Sequence, residues 1–445
     1  MMKREGILFR TGLLSSRMTP VTMPPPSPAE RAVLLQFLAK LGQAQLACGN
    51  AVPLVERDIV LVARQNGLQG ITAFVLPTGL FIEVDDGVQH ALDLATGPYR
   101  TGMLRLDQIE EVLVIARDAR TGRLTPERGL DRLEAIWRMR HRYGDLGFVL
   151  GYLVTTLGVA LMLRPSLVGL GVVALLALIC AGLMLAVRKR PAWAVIMPVV
   201  ASFTLSAAVA FGYRLGLQEP AMGLLIPPLI TFLPGMTLTV AVIELAYANI
   251  ISGASRLVAG FAQLVLLAFG ILGGFKAFPF PTSGDVPVPL LARLGPYMPW
   301  IGVVVFAIGL HVYQSSNRRS LGFMLLTAVA AYGAQSLSGL YIHGASTAFF
   351  GAVAMTMTAL VIEFRFNGPP AIVTFLPGFW LLAPGSFGLI SMASMATGQS
   401  TAQDILTLLF TLTGIATGCL IGAFVYSALL HPRNIKWWRI EEHMH

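Results

Sequence analysis

The chain has 445 residues, of which 55% are hydrophobic and only 12% charged, with a mean hydropathy of +0.70 and a net charge of +9. A soluble globular chain carries about 25% charged residues, so a wholly soluble fold is excluded and lipid is the solvent for much of the length. The positive excess lies in short loops between apolar segments and not on an aromatic-lined face, which leaves no nucleic-acid partner to expect.

Charge is distributed unevenly. Residues 1–145 hold 18 Lys/Arg and 16 Asp/Glu, whereas residues 146–430 hold 11 and 5. The break near Asp145 marks the main domain boundary. Residues 1–27 lack an apolar core of the kind a cleavable signal needs and contain Pro24-Pro25-Pro26, so they form a disordered lead-in. Cys48, Cys180 and Cys419 are too scattered for a disulfide framework or a metal site, and no cofactor is expected.

Residues 28–145 predict a small α+β domain. Ser27, Pro28 and Glu30 make a capping box opening a helix to about Ala47. A second helix covers Pro53 to Gln65. Ile71–Leu76 and Leu80–Val84 flank a Pro77-Thr78-Gly79 turn as a hairpin, and His90–Ala95 adds a strand. Helical spacing returns over Asp107–Thr121 and Pro126–Arg140.

From Leu146 onward apolar runs match the ~20 residues that a bilayer crossing requires. Ten spans are expected, at 146–163, 166–187, 193–212, 221–247, 257–275, 299–316, 321–340, 344–362, 371–396 and 404–430. The loops on the N-terminal side of this map carry 13 Lys/Arg and those on the far side 4, namely Arg164, Arg214, Lys276 and Arg293. The positive-inside rule then places both termini in the cytoplasm of a bacterial-type inner (plasma) membrane.

The pentapeptide Thr-Phe-Leu-Pro-Gly occurs at Thr231–Gly235 and again at Thr374–Gly378. The spans around it follow in the same order, which suggests two five-helix repeats, 146–275 and 299–430, joined by an external loop at 276–298 and followed by a cytoplasmic tail at 431–445. Five is odd, so the second repeat is inverted, a plan common among secondary transporters. Breaks at Pro227-Pro228, Pro234-Gly235, Pro377-Gly378 and Pro384-Gly385 either kink packed helices or frame a midplane site. The substrate-binding candidates are Thr231, Pro234, Gly235, Thr237, Asn249, Thr374, Pro377, Gly378, Pro384, Gly385 and Ser386. The hydroxyls, Thr239 among them, either bind solute or bond back to their own helices. Glu244 stands out as an acidic residue in an apolar span. It either carries the coupling proton or pairs with Arg256 near a helix end. Glu363, Gln335, Ser338 and His343 are weaker candidates.

The chain resembles the threonine/serine exporter family from about Arg31 to Leu430. The resemblance rests on Leu41-Gly42, Cys48-Gly49-Asn50-Ala51, Val55-Glu56, Asn66-Gly67-Leu68, the Leu76–Leu80 turn and the Gly122–Ile136 helix. In the spans it rests on Leu233-Pro234-Gly235 with Glu244 and Ser252-Gly253, and on Pro369-Pro370-Ala371 through Leu382-Ala383-Pro384-Gly385-Ser386. The family's pattern leads one to expect Asp where Glu244 stands. The resemblance implies proton-coupled antiport of threonine or serine, with a dicarboxylate as the alternative cargo and a homo-oligomer left open. A membrane-anchored enzyme using Asp85, Asp86, His90 and Asp93, or a sensor built on the N-terminal domain, is the reading from another class; no catalytic residue is expected.

Overall fold

The computed structural model describes residues 26–85, 90–95, 104–188, 193, 195–278, 295–342, 344–382 and 402–430. Helix α1 (Pro28–Ala47) starts at the expected capping box. Ser27 Oγ accepts from the Glu30 N–H while Glu30 Oε2 accepts from the Ser27 N–H at 2.9 Å, so two orphan donors are satisfied reciprocally. Helix α2 (Val52–Gln65) follows, then an antiparallel sheet of β1 (Ile71–Leu76), β2 (Gly79–Asp85) and β3 (His90–Ala95) in that order. In its first hairpin Phe74 pairs with Phe81 and Val75 with Leu80. Helices α3 (Leu106–Arg120) and α4 (Pro126–Arg138) complete this N-terminal part. Its core is Leu38, Leu41, Val55, Ile59, Leu80, Ile82, Ile109 and Val112, all 0–1% exposed. Asp58 anchors α2 to α3 through Arg120 at 2.8 Å.

The rest is helical: α5 (Gly144–Met162), α6 (Leu167–Val187), α7 (Met197–Arg214), α8 (Ala221–Leu229), α9 (Gly235–Ala246), α10 (Ile250–Ala277), α11 (Met298–Tyr313), α12 (Ser320–Ser338), α13 (Thr347–Arg365), α14 (Ala371–Leu381) and α15 (Ala402–Leu430). Helices satisfy their own backbone groups, which lipid cannot do. Among the described residues α5, α6, α10, α12, α13 and α15 are long and apolar enough to cross a membrane, and the bent α8–α9 pair makes a seventh if it is one span. Helices α11 and α14 are shorter apolar helices. Leu167, Val168, Val258, Phe269 and Phe410 are each more than 60% exposed, the pattern of a multi-pass protein whose outer surface meets lipid. Each of the ten expected spans contains a helix, although only 371–382 of the ninth is described before residue 402.

Close packing comes from glycine. Helices α5 and α11 run antiparallel: a Cβ on Gly158 would lie 2.3 Å from the Phe306 nitrogen, on Gly151 2.4 Å from the Tyr313 nitrogen, and on Gly309 2.2 Å from the Thr155 nitrogen. Two other pairs run parallel. Gly270 and Gly274 of α10 lie on Ser202 and Ser206 of α7, and Gly418 and Gly422 of α15 lie on α13 between Phe349 and Thr356. Each is a Gly-x-x-x-Gly contact, which brings backbones together where dispersion replaces the hydrophobic drive between helices.

Gly309→Leu should therefore force α5 and α11 apart at a cost of about 1–3 kcal/mol or more. A lowered thermal midpoint in detergent is the expected readout. The control is Gly171→Leu, since a Cβ at Gly171 meets nothing within 4 Å.

Candidate functional site

The fourth span is broken, with α8 and α9 inclined by 62°. Pro227, Pro228 and Pro234 have no N–H to give the helix ladder. A one-turn 3-10 segment, Ile230–Phe232, closes with Leu233 N–H on the Ile230 carbonyl at 3.2 Å, and α9 restarts with Leu238 N–H on the Pro234 carbonyl at 2.9 Å. Side chains from two other helices take carbonyls on the N-terminal side of the break. The buried Tyr152 hydroxyl of α5 donates to the Pro228 carbonyl and lies 3.2 Å from Cys180 Sγ. Gln263 Nε2 of α10 donates to the Phe232 carbonyl at 2.7 Å.

The α9 N-terminus has Pro234 as its N-cap and no side-chain cap. Gly235 and Thr237 are in its first turn, and Thr231 precedes the break with its hydroxyl buried. Among the described residues the buried hydroxyls of Thr239 (2% exposed) and Thr156 (0%) have no hydrogen-bond partner. Thr239 lies between Met236 and Ile243, at helical spacing from both. Those two residues pack on the cluster of Ala331, Ala352, Met355 and Phe379 from α12, α13 and α14. Thr239 is therefore on the α9 face turned to the later helices. Thr156 is one turn from Tyr152.

The second copy of the pentapeptide is arranged otherwise. Thr374 bonds back to the Ala371 carbonyl at 3.1 Å, Pro377 sits inside α14, and Gly378 packs on Met355 and Ala331. Pro377-Gly378 thus does not break its helix, contrary to the expectation, because tertiary packing overrides the local signal. Pro384, Gly385, Ser386 and His343 lie outside the described residues. Ser338 donates to the Gln335 carbonyl of its own helix at 2.9 Å. Glu363 holds a helix start in place, since its carboxylate accepts from the Ala371 N–H at 2.7 Å and so caps α14.

Glu244 lies near the far end of α9, about 13 Å from its start at 1.5 Å per residue, and Asn249 follows just beyond that end. Glu244 is 0% exposed. Its carboxylate accepts from Arg256 Nε at 3.1 Å through both oxygens, and from the Val52 N–H of α2 at 3.0 Å. Arg256 also donates to the Asn50 carbonyl at 3.3 Å. Asn249 is the N-cap residue of α10, its N–H on the Glu244 carbonyl at 2.9 Å. The expected set therefore divides in two, one group at the break and one against the N-terminal part.

Sequence reasoning passed over Tyr152, Gln263, Thr156 and Glu219. Gln263 was findable as a lone amide in an apolar span. Glu219, 4% exposed between α7 and α8, accepts from Ser166, which also caps α6 by accepting the Gly169 N–H at 3.1 Å. No group of three His, Cys, Asp or Glu side chains placed to hold a metal occurs among the described residues. Asp86 and the side chains of Asp85, His90 and Asp93 lie outside them.

Residues 36–278 match the family model described as "Putative threonine/serine exporter". No curated protein and no solved structure matches the chain.

The chemistry of these residues is open to measurement at two points. Tyr152→Phe leaves the buried Pro228 carbonyl without its donor, at about 1–3 kcal/mol, and should lower the thermal midpoint while Thr358→Val, removing a hydroxyl bonded only within α13, changes it little. Glu56 of α2 has its pKa raised above the ordinary 4.5 by burial, against the Val75 N–H it accepts and with the Glu244 charge adding to the rise. A carboxyl raised on folding binds more protons folded than unfolded, so its contribution falls as pH rises through that window. Glu56→Gln should raise the midpoint at pH 7 and lose that advantage below pH 4.5, checked by melts across pH.

Proposed function

The chain belongs to the threonine/serine exporter family, whose model covers more than half its length, and on that premise we propose that it exports threonine and serine in exchange for protons by alternating access. The observation that carries this reading is the uncapped start of α9 inside the helix bundle, with the unpartnered hydroxyl of Thr239 about one turn along it. A helix N-terminus favours a carboxylate, and half-helices facing a midplane site are a recurring transporter device. The amino acid's carboxylate would sit on the first turn at Gly235–Thr237, and its hydroxyl would bond Thr239, Thr156 or Thr231. These are the groups that distinguish serine or threonine from alanine or valine. A buried hydroxyl built to bond a substrate hydroxyl rejects the analogue lacking it.

The inverted-repeat reading is supported by the packing. The first helices of the two halves, α5 and α11, run antiparallel, and the third and fifth helices of each half make the same parallel glycine contact. The α9–α10 and α11–α12 turns both touch the N-terminal part, as alternate crossings require. The excess of Lys and Arg on that side supports a cytoplasmic location for it in the inner membrane. Glu244 is the proposed coupling carboxylate. Protonation would remove the charge that holds Arg256, so proton occupancy and the position of α9 become linked.

Inside-out vesicles containing the protein should take up labelled threonine or serine several-fold faster when their lumen is acid, and an uncoupler should abolish the gain. Glu244→Gln should lose the response to the gradient, and Thr239→Val should raise the KM for serine. Folded protein without gradient-dependent uptake of either amino acid would refute the reading.

A further inference from the structure

We propose that the N-terminal α+β part is a clamp closing the solute path on its own side, and that the tie released in each cycle is the seating of the α2 N-terminus on Glu244 and Arg256. The proposal rests on the exporter reading for its functional arm and on geometry for its structural one.

The α2 helix has no cap of its own. Its N-cap residue, Ala51, has no side chain able to accept a hydrogen bond, whereas a helix start needs acceptors for its first N–H groups. The acceptor comes from 192 residues away, as the Glu244 carboxylate takes the Val52 N–H at 3.0 Å. Arg256 reaches back to the Asn50 carbonyl at 3.3 Å. A carboxylate at a helix N-terminus also gains from the helix dipole. Seating α2 thus completes the coordination of an ion pair whose carboxylate is fully buried, and unseating leaves both with water as the substitute.

The same N-terminal part is tied elsewhere, to a different set of helices. His141 Nε2–H donates to the Tyr313 carbonyl at 3.1 Å, and the Arg142 N–H donates to Ser315 Oγ at 2.9 Å. The Tyr143 N–H meets His141 Nδ1 at 3.3 Å. These residues lead directly into α5, which lies along α11 through Gly151, Gly158 and Gly309. Linker, α5 and α11 are consequently one body, joined by covalent connection and by backbone-close packing. The α9 and α10 helices belong to another set, with α10 packed along α7 through Gly270 and Gly274. A rigid part fastened to α5–α11, to α9–α10 and, through α3, to α14 restrains the relative movement of these sets, and hinge or shear motion requires a fastening to open. The α5–α11 side cannot open without separating glycine-packed helices. The α2 seat consists of hydrogen bonds at one helix end. Helix α9 joins the seat to the solute site, since its start faces the break and its end bears Glu244. Displacement of α9 by bound solute pulls on the clamp.

The test uses a variant that leaves Glu244 and Arg256 untouched. Val52→Pro deletes the donated N–H, at the first helical position where proline is tolerated, together with the buried isopropyl group; Val52→Ala keeps the N–H and controls for the lost side chain. A hydrogen bond to a charged group is worth on the order of tenfold or more in the seating equilibrium. In full-length protein in nanodiscs, Val52→Pro and Glu244→Ala should each raise amide exchange at residues 245–256 about tenfold over Val52→Ala. The double variant should add nothing further, and exchange in the hairpin at 71–84 should stay unchanged. In proteoliposomes, Val52→Pro should change the rate of labelled serine counterflow several-fold relative to Val52→Ala. Exchange at 245–256 equal to that of Val52→Ala, or additive single variants, would overturn the seat. Raised exchange with unaltered counterflow would overturn the clamp. Wild-type protein that moves neither serine nor threonine would instead sink the exporter reading, with the exchange arm still deciding whether α2 is seated as described.

Discussion

A helix interrupted in lipid must find protein partners for the backbone groups it frees, and most of this architecture is arranged around one such interruption. The break between α8 and α9 is stable because Tyr152 and Gln263 reach it from α5 and α10. Neither residue is near it in sequence. Each belongs to a helix held in place by glycine contacts, so the glycine packing is what brings the two donors to the break. An unsatisfied carbonyl in hydrocarbon costs several kcal/mol, which explains why polar side chains are directed to these carbonyls while Thr239 and Thr156 are left unpartnered.

The Glu244–Arg256 pair follows the same rule at the other end of α9. Removing one partner of a buried ion pair costs about 3–5 kcal/mol because the other charge is left uncompensated. Here the carboxylate also takes a backbone N–H from α2, so a membrane helix and the N-terminal part share one charge. That sharing makes the pair responsive: any event that alters the carboxylate alters the seating of α2. Stability alone does not account for the arrangement, since apolar residues of similar volume often replace buried pairs without loss.

Glu363 shows that the theme recurs. It caps the start of α14 as Glu244 caps the start of α2, and α3 of the N-terminal part touches α14, with Arg117 and Arg120 near enough for their charges to act on Glu363. Carboxylates at the ends of membrane helices thus serve as acceptors for helix starts that follow proline or alanine, residues with no cap to offer.

Some of this was determined by the sequence alone, because its cause is local or compositional. Low charge and long apolar runs required lipid, the Ser27–Glu30 box required a helix start, and the Pro-Gly pairs marked where a helix ladder loses donors. The hairpin at Ile71–Val84 was equally legible from alternation and turn residues. The tertiary structure alone decided the rest. The pentapeptide Thr-Phe-Leu-Pro-Gly breaks the chain at Pro234 and continues as helix through Pro377. The identical five residues therefore cannot contain the difference, which goes with the Pro227-Pro228 pair inside α8 and the Tyr152 and Gln263 donors at one copy, and with the Met355 and Ala331 packing at the other. Glu244 was visible as a costly residue, but not its bond to Val52. Local signals act over one or two helical turns, whereas a buried charge is answered by whatever the folded chain brings within hydrogen-bonding reach.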